Sequence, residues 1–373
     1  MSTIQIKPVV TSSDREQFIK FLWKIYEGNP NWVPPLLMDR RKLMDKKKNP
    51  FYQHSDAEFF LARRDGQIVG RIAGIVNYNH DKEHNEKMGF FGFFECIDDQ
   101  AVANALFDAA KDFVKSKGAT AFRGPANPSV NDEYGLLIEG FNLRPTVLMT
   151  YNPEYYVRLI EKYGFVKAKD LYAYTLSQAE VYTDRFERAN SLVKSRNNLT
   201  IRSVDMKNFE RDVAIVKDLY NGAWAKNWGA VPMTDAEMDA LAADLKPVIV
   251  PDLVIFAESK GKPIGFGLSL PDINVPLWYN KKGRLLPGLF QLYFRKKEIN
   301  LVRVIVLGVL PEYLNTGAAG VLFYETAVRA KKLGYDYGEA SWILEDNVRM
   351  VKSAEAMKGK VTRRYRIYEM PIK

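Results

Sequence analysis

The stretch Val309-Leu310-Pro311-Glu312-Tyr313-Leu314-Asn315-Thr316-Gly317-Ala318-Ala319-Gly320 decides how this chain is read. It joins a β-branched run, Arg303 to Leu307, to a helical pattern that ends near Leu333. A strand that passes through small residues into a helix gathers free backbone N–H groups and a positive helix terminus at one point, which suits a pyrophosphate. A nucleotide-tailed ligand is the first expectation.

Outward from this stretch, the same order of elements occurs twice. Glu58–Arg63 and Ile68–Val76 flank the turn Arg64-Asp65-Gly66-Gln67, and Leu253–Glu258 and Ile264–Leu270 flank Ser259-Lys260-Gly261-Lys262-Pro263. Both read as β-hairpins, β-rich arms around a glycine turn. A strand (Phe90 to Glu95), an apolar-periodic helix (Val102, Leu106, Ala109, Ala110, Phe113), Gly118 and a strand (Ala119 to Gly124) follow the first hairpin. The second is followed by Arg303–Leu310, the helix Ala318–Leu333, Gly334 and the strand Tyr337–Ile343. Each copy adds a helix stopped at a glycine (Gly164, Gly359) and a Tyr-rich closing strand, Leu171–Leu176 or Arg364–Met370. The expected fold class is α+β, two tandem domains, each a mixed sheet flanked by helices. The boundaries are set at 1–180 and 181–373, with the charged helical stretch Ser177 to Thr200 as connector.

The bulk numbers agree with two domains. A chain of 373 residues exceeds one compact core, and 47% hydrophobic with 27% charged residues is a globular composition. No apolar run reaches the ~18–20 residues that cross a bilayer, and Met1 to Val10 carries no secretory pattern, so a cytoplasmic location is expected. The single cysteine, Cys96, excludes an internal disulfide. His80 and His84 have i, i+4 spacing but lie in a polar stretch, 77–86, that reads as a solvated loop, so no metal is assigned. The net charge of +9 favours an acidic partner: nucleotide phosphates, nucleic acid, an acidic carrier protein or an anionic membrane face.

This order of elements, with a small-residue loop opening the central helix, resembles the GNAT superfamily of N-acyltransferases, and two copies in tandem resemble its double-domain bacterial members. The resemblance covers 57–176 and 205–371. It implies that the loop, Gln/Arg-x-x-Gly-x-Gly/Ala in the superfamily, holds the coenzyme A pyrophosphate of acetyl-CoA or a longer acyl-CoA. The matching window is Leu314-Asn315-Thr316-Gly317-Ala318-Ala319, with Leu in place of Gln or Arg. The donor-site residues it implies are Gly308, Val309, Leu310, Asn315, Thr316, Gly317, Ala318, Ala319, Gly320 and, on the opposite wall, Asn347. Gly308 is expected to mark a bulge or a close approach of the donor. In the first copy the equivalent junction, Glu95-Cys96-Ile97-Asp98-Asp99-Gln100-Ala101-Val102, has no glycine and places carboxylates where phosphate would sit. Only the second copy is expected to carry donor.

Acyl transfer to an amine needs a base, oxyanion donors and an acid for the leaving thiolate. Glu339 and Glu345, at the ends of a half-buried strand, are the candidate bases; Glu345-Asp346-Asn347 equally suits a helix cap. The resemblance places a general-acid Tyr where this chain has Glu355. Asn131, Asp132 and Glu133 in a Pro- and Gly-rich loop, together with Trp342, are candidate acceptor-binding residues, and Asn-Asp-Glu is also ordinary turn chemistry. The segment 275–297 mixes Trp, Tyr, Phe and Leu with cations and no acid, the profile of a membrane-surface segment or a cover for a greasy ligand, and also of a core helix with a basic edge. The expected function is N-acylation by an acyl thioester, on coenzyme A or acyl carrier protein, of an amine, with a lipid-like sphingoid base the specific expectation. Two alternatives stand beside it: a Fem-like transferase using aminoacyl-tRNA, and a non-catalytic ligand-binding module.

Overall fold

The computed structural model describes residues 3–181, 183–224 and 227–373. In chain order the first run is β1 (Gln5–Pro8), α1 (Ser12–Ile25), α2 (Leu37–Leu43), β2 (Ser55–Arg64), β3 (Gln67–Asn77), α3 (Tyr78–His84), β4 (Met88–Cys96), α4 (Gln100–Ser116), β5 (Ala121–Gly124), the short β6 (Ala126–Asn127) and β7 (Glu133–Tyr134), β8 (Leu136–Glu139), α5 (Tyr155–Tyr163) and β9 (Val166–Ser177). The second run is α6 (Gln178–Val181), α7 (Asp184–Arg196), β10 (Leu199–Ser203), α8 (Phe209–Trp224), α9 (Asp235–Leu245), β11 (Val254–Ser259), β12 (Lys262–Pro271), α10 (Asn274–Leu277), α11 (Leu285–Arg295), β13 (Leu301–Val309), α12 (Ala318–Lys332), β14 (Tyr337–Leu344), α13 (Val348–Ala356) and β15 (Lys360–Pro371). Contacts divide the chain into two compact units, one of residues 1–171, 277–290 and 363–373, the other of 172–276 and 291–362.

In the first unit the strand order is β1-β2-β3-β4-β5-β15, with β8 also on β15. β2 and β3 form the expected hairpin, and its two turn residues, Asp65 and Gly66, both have positive φ. That is the signature of the hairpin turn whose twist matches its strands. The sequence of β4, Met-Gly-Phe-Phe-Gly-Phe-Phe-Glu-Cys, is apolar on both faces, and the strand is buried along its whole length. One face packs on α4, whose Val102, Leu106, Phe107, Ala110 and Val114 follow the helical repeat into the core. The Tyr-rich closing strand of the second copy, expected to complete its own domain, pairs here: Tyr368 lies opposite Gly124 and Met370 opposite Phe122. Arg366 fixes that strand by two hydrogen bonds to the buried Asp170, at 2.8 and 3.1 Å.

One local expectation is corrected. The stretch around His80 is helix, not solvated loop: Asn77 caps α3, and His80 is buried edge-on against Phe90. Burial, with His84 and Arg123 nearby, pushes the His80 imidazole down to about 3, so it is neutral at physiological pH.

The second unit has the order β10-β11-β12-β13-β14. Its hairpin, β11 to β12, turns through Lys260 and Gly261, again both at positive φ. The apolar face of α12 (Val321, Leu322, Phe323) packs on one face of the sheet with Ile255, Leu307 and Val309, while α8 covers Phe256 and Phe266 on the other. The connector is helical as expected, and α7 lies along α12, with Asn190 and Lys194 both donating to Glu325. No helix among the described residues is long and apolar enough to cross a membrane.

Candidate functional site

In the second unit β13 and β14 start as parallel neighbours and then part. Their pairing runs from Leu301 with Tyr337 to Val304 with Ala340 and stops. Beyond it, Ile305 to Val309 and Ser341 to Leu344 continue as strand without pairing to each other, opening a fork. A bulge on β13 marks the parting: Val304 lies opposite Ser269 and Val306 opposite Leu268, leaving Ile305 extra. The bulge expected at Gly308 therefore falls three residues earlier. Gly308 serves a close approach instead, since a Cβ there would lie 2.5 Å from the ring of Trp224.

The Asn315–Gly320 loop follows the open arm of this fork. Gly317 caps α12 in the left-handed region, φ 84°, a conformation that costs glycine least. Two amides are spent within the turn, Thr316 on Tyr313 O and Ala318 on Thr316 Oγ1. The amides of Asn315, Gly317, Ala319 and Gly320 meet no acceptor among the described residues. Asn197, the C-cap of α7, donates to Thr316 O at 3.1 Å, and the Val193 methyls line Gly317. Gly317 and Gly320 are exposed. The result is an open helix N-terminus with several unspent donors, the arrangement that holds phosphate.

The opposite wall is β14. Glu339 is fully buried and accepts from Ser341 Oγ at 2.8 Å; Arg303, its neighbour in register, donates to Ser341 Oγ at 2.9 Å and to Ser341 O at 3.2 Å. The Arg303 guanidinium also stands 5.2 Å from the Trp342 ring. This buried cluster sits at the crotch of the fork. Glu345, half-buried, lies in the turn after β14, and Asn347 caps α13 by accepting from Met350 N. Glu355 is exposed on the last turn of α13.

In the first unit β4 and β5 part in the same way, after Phe90 and Arg123. The bulge is at Phe93, which takes a positive φ of 52°. Here the chain fills its own fork. A Cβ on Gly92 would lie 1.8 Å from Ala126 O, and Asn127 Oδ1 accepts from Phe93 N at 2.5 Å. Asn127 in turn donates to Glu133, which is ion-paired with Arg40. Burial would raise the Glu133 carboxyl, but Arg40 and Asn127 outweigh it and hold it below the usual range. Asp132 accepts from Ser129 Oγ, and Ser129 Oγ accepts from Asn131 N, so this loop is braced internally. At the start of α4, Asp99 takes the amides of Ala101 and Val102 and pairs with Arg64 at 2.8 Å. A carboxylate there occupies the donors a phosphate would use.

Sequence reasoning missed Glu95, two residues past that bulge. Its carboxylate accepts from Tyr156 Oη at 2.8 Å and lies 3.5 Å from the Arg71 guanidinium, which donates to Phe18 O and stacks on the Phe18 ring. Burial pushes Glu95 up to about 7, with Arg71 and Tyr156 limiting the rise. The signal was present: Arg71 and Glu95 are the lone charges of β3 and β4, and the antiparallel pairing of these two strands sets them opposite each other.

No family model matches. The bacterial ceramide synthase of Caulobacter vibrioides is 35% identical over 99% of this chain and 98% of its own length. Protein YghO of Escherichia coli is 32% identical over 98% of this chain and 95% of its own. Among solved structures, a tandem GNAT protein from the clavulanic acid biosynthesis pathway superimposes with a TM-score of 0.56 at 10% identity, covering 99% of this chain and 98% of that one. A GCN5-related N-acetyltransferase from Sphaerobacter thermophilus gives 0.53 at 11% identity, over 99% and 96%. At these identities the structures establish the fold alone.

Proposed function

Because the chain belongs to the family of the bacterial ceramide synthase and has the tandem GNAT fold, we propose that this N-acyltransferase moves an acyl group from an acyl thioester to the amine of a sphingoid base. The observation that carries the donor half of this reading is the open fork beside the unspent amides of Gly317, Ala319 and Gly320. Those amides take the coenzyme A pyrophosphate; Asn315, Thr316 and Ala318 shape the turn, the edge Gly308-Val309-Leu310 runs along the pantetheine arm, and Asn347 closes the far side. An acyl carrier protein would present its phosphopantetheine to the same edge.

The reaction forms a C–N bond, breaks the C–S bond and moves one proton from the amine to a base. Glu345, half-buried where the fork opens, is the proposed base, and the buried Glu339 is a positioning residue that fixes β14 through Ser341 and Arg303. Glu355 stands where the resemblance places the acid for the thiolate. Trp342 supplies apolar contact for the acceptor chain. A long-chain amine resides at a lipid surface, so peripheral membrane contact through 275–297 belongs to this reading.

The test is a melting series with acyl-CoA of graded chain length, free coenzyme A and aminoacyl-tRNA, followed by mass spectrometry of the product formed with a sphingoid base. Stabilisation by acyl-CoA together with an N-acylated product supports the reading. Stabilisation by aminoacyl-tRNA alone replaces it, and no shift with any donor leaves a non-catalytic module.

Glu95 favours a second reading, with proton transfer in the first unit. A buried carboxyl near 7, tied to Tyr156 and Arg71 beside a bulge, has the poise of a general base. Glu95→Gln would then erase an acidic limb of the kcat profile near pH 7, and persistence of that limb in the variant would exclude this reading.

A further inference from the structure

Helix α11, Leu-Leu-Pro-Gly-Leu-Phe-Gln-Leu-Tyr-Phe-Arg, carries an apolar stripe that is exposed. Leu286 (77% exposed), Leu289 (51%), Phe290 (58%), Tyr293 (71%) and Phe294 (62%) recur at the i, i+3, i+4, i+7, i+8 spacing of one helical stripe. Such a stripe normally faces a core. Here the other side of the helix does: Gly288 is buried and packs on Leu36, Leu277 and Asn280. The start of the helix is also fastened, since Asn280 Nδ2 donates to Arg284 O at 2.8 Å and its Oδ1 accepts from Arg284 N at 3.3 Å. The preceding loop is held as well, with Trp23 donating to Lys281 O and Leu37 N to Gly283 O. The exposed stripe is therefore displayed on a braced helix.

Charge selects the occupant. From Trp278 to Lys297 there is no acidic residue, and six cations flank the stripe: Lys281, Lys282 and Arg284 before it, Arg295, Lys296 and Lys297 after it. A second copy docked on this face would set like charges against each other across a two-fold axis. An anionic bilayer satisfies both features at once, acyl chains for the leucines and aromatics and headgroups for the cations. We infer that α11 is an in-plane membrane anchor that seats the protein on an anionic lipid surface. The inference deepens the acyl-transfer reading, whose acceptor is membrane-borne, by naming the lipid partner and the residues that enter it. Eleven residues of helix span about 16 Å, far short of a bilayer, so the helix lies flat and the protein binds reversibly.

The experiment is co-sedimentation of the full chain with vesicles of phosphatidylcholine alone and of phosphatidylcholine with phosphatidylglycerol at a 7:3 ratio. Tighter binding to the anionic vesicles, weakened at least tenfold by 0.5 M salt or by the pair Phe290→Ser and Phe294→Ser, is the expected result. The same variant should keep its melting temperature and its acyl transfer to a detergent-dispersed acceptor. Equal binding by variant and wild type, no preference for anionic vesicles, or a dimer that the variant abolishes would overturn the inference. Loss of detergent-phase activity with vesicle binding intact would assign the stripe to substrate passage and overturn it too. If the anchor fails while detergent-phase activity stands, the acyl-transfer reading survives.

Discussion

The two forks are one device used in two ways. In the first unit the parting of β4 and β5 is closed by Ala126 and Asn127, and the neighbouring helix N-terminus is capped by Asp99. In the second the parting of β13 and β14 is followed by Gly317, whose loop leaves amides unspent. The backbone geometry is shared, down to a bulge on the longer strand; what differs is which side chains consume the donors. Ligand capacity in this fold is therefore set by a few residues after the strand rather than by the strand itself.

The largest effect on stability should come from tightening the closed fork. Gly92→Ala puts a methyl where Ala126 O already sits, and overpacking against backbone should cost about 3 kcal/mol, read as a lower urea midpoint at unchanged m value. An unchanged midpoint would mean that the fork is not packed shut. At the open fork, Gly317→Val strains a left-handed residue and crowds Val193, and kcat/KM for acyl-CoA should fall about 100-fold, roughly 2.7 kcal/mol. The melting shift with free coenzyme A should vanish with it. Retention of that shift would remove the loop from the donor site.

A third effect separates two buried groups of the first unit by pH. Glu95 sits near 7 when folded against an ordinary value of 4.5, so the native state binds the extra proton and stability falls as pH rises through that window. His80 sits near 3 against 6.5, so the unfolded state binds the extra proton and stability is lost as pH falls toward 3. Between about pH 4.5 and 6.5 the two slopes oppose, each approaching about 1.4 kcal/mol per pH unit. Relative to wild type, Glu95→Gln should make the melting temperature rise more steeply with pH there, and His80→Phe should make it fall. Parallel curves for all three proteins would refute both assignments. The smallest effect is at the α4 cap: Asp99→Ala should cost about 1 kcal/mol in thermal unfolding and create no coenzyme A binding in a calorimeter.

What the sequence made legible follows from local rules. Asp65-Gly66 and Lys260-Gly261 announced both hairpins because the turn demands positive φ, and the periodicity of α4 announced its buried face. The loop at Gly317 was readable for the same reason. The bulge at Ile305 was not, because a β-branched residue carries no mark of being extra in a ladder; Gly308 carried the mark and turned out to seat Trp224. The His80 stretch was misread since polar neighbours outnumbered the one ring that turns inward. The Glu95 cluster was half legible, Arg71 and Glu95 being lone charges in neighbouring strands, while Tyr156 is brought to them by the tertiary structure.

The seat of β15 bears on how this protein is made. Tyr368 lies beside Gly124, so the sheet of the first unit lacks a strand until β15 has been synthesised. An unfilled edge on β5 waits through synthesis of the intervening residues, a long-range closure of the slow kind. Ribosome-bound nascent chains shorter than about 360 residues should therefore expose a sticky sheet margin, and shielding it becomes a task for chaperones during elongation.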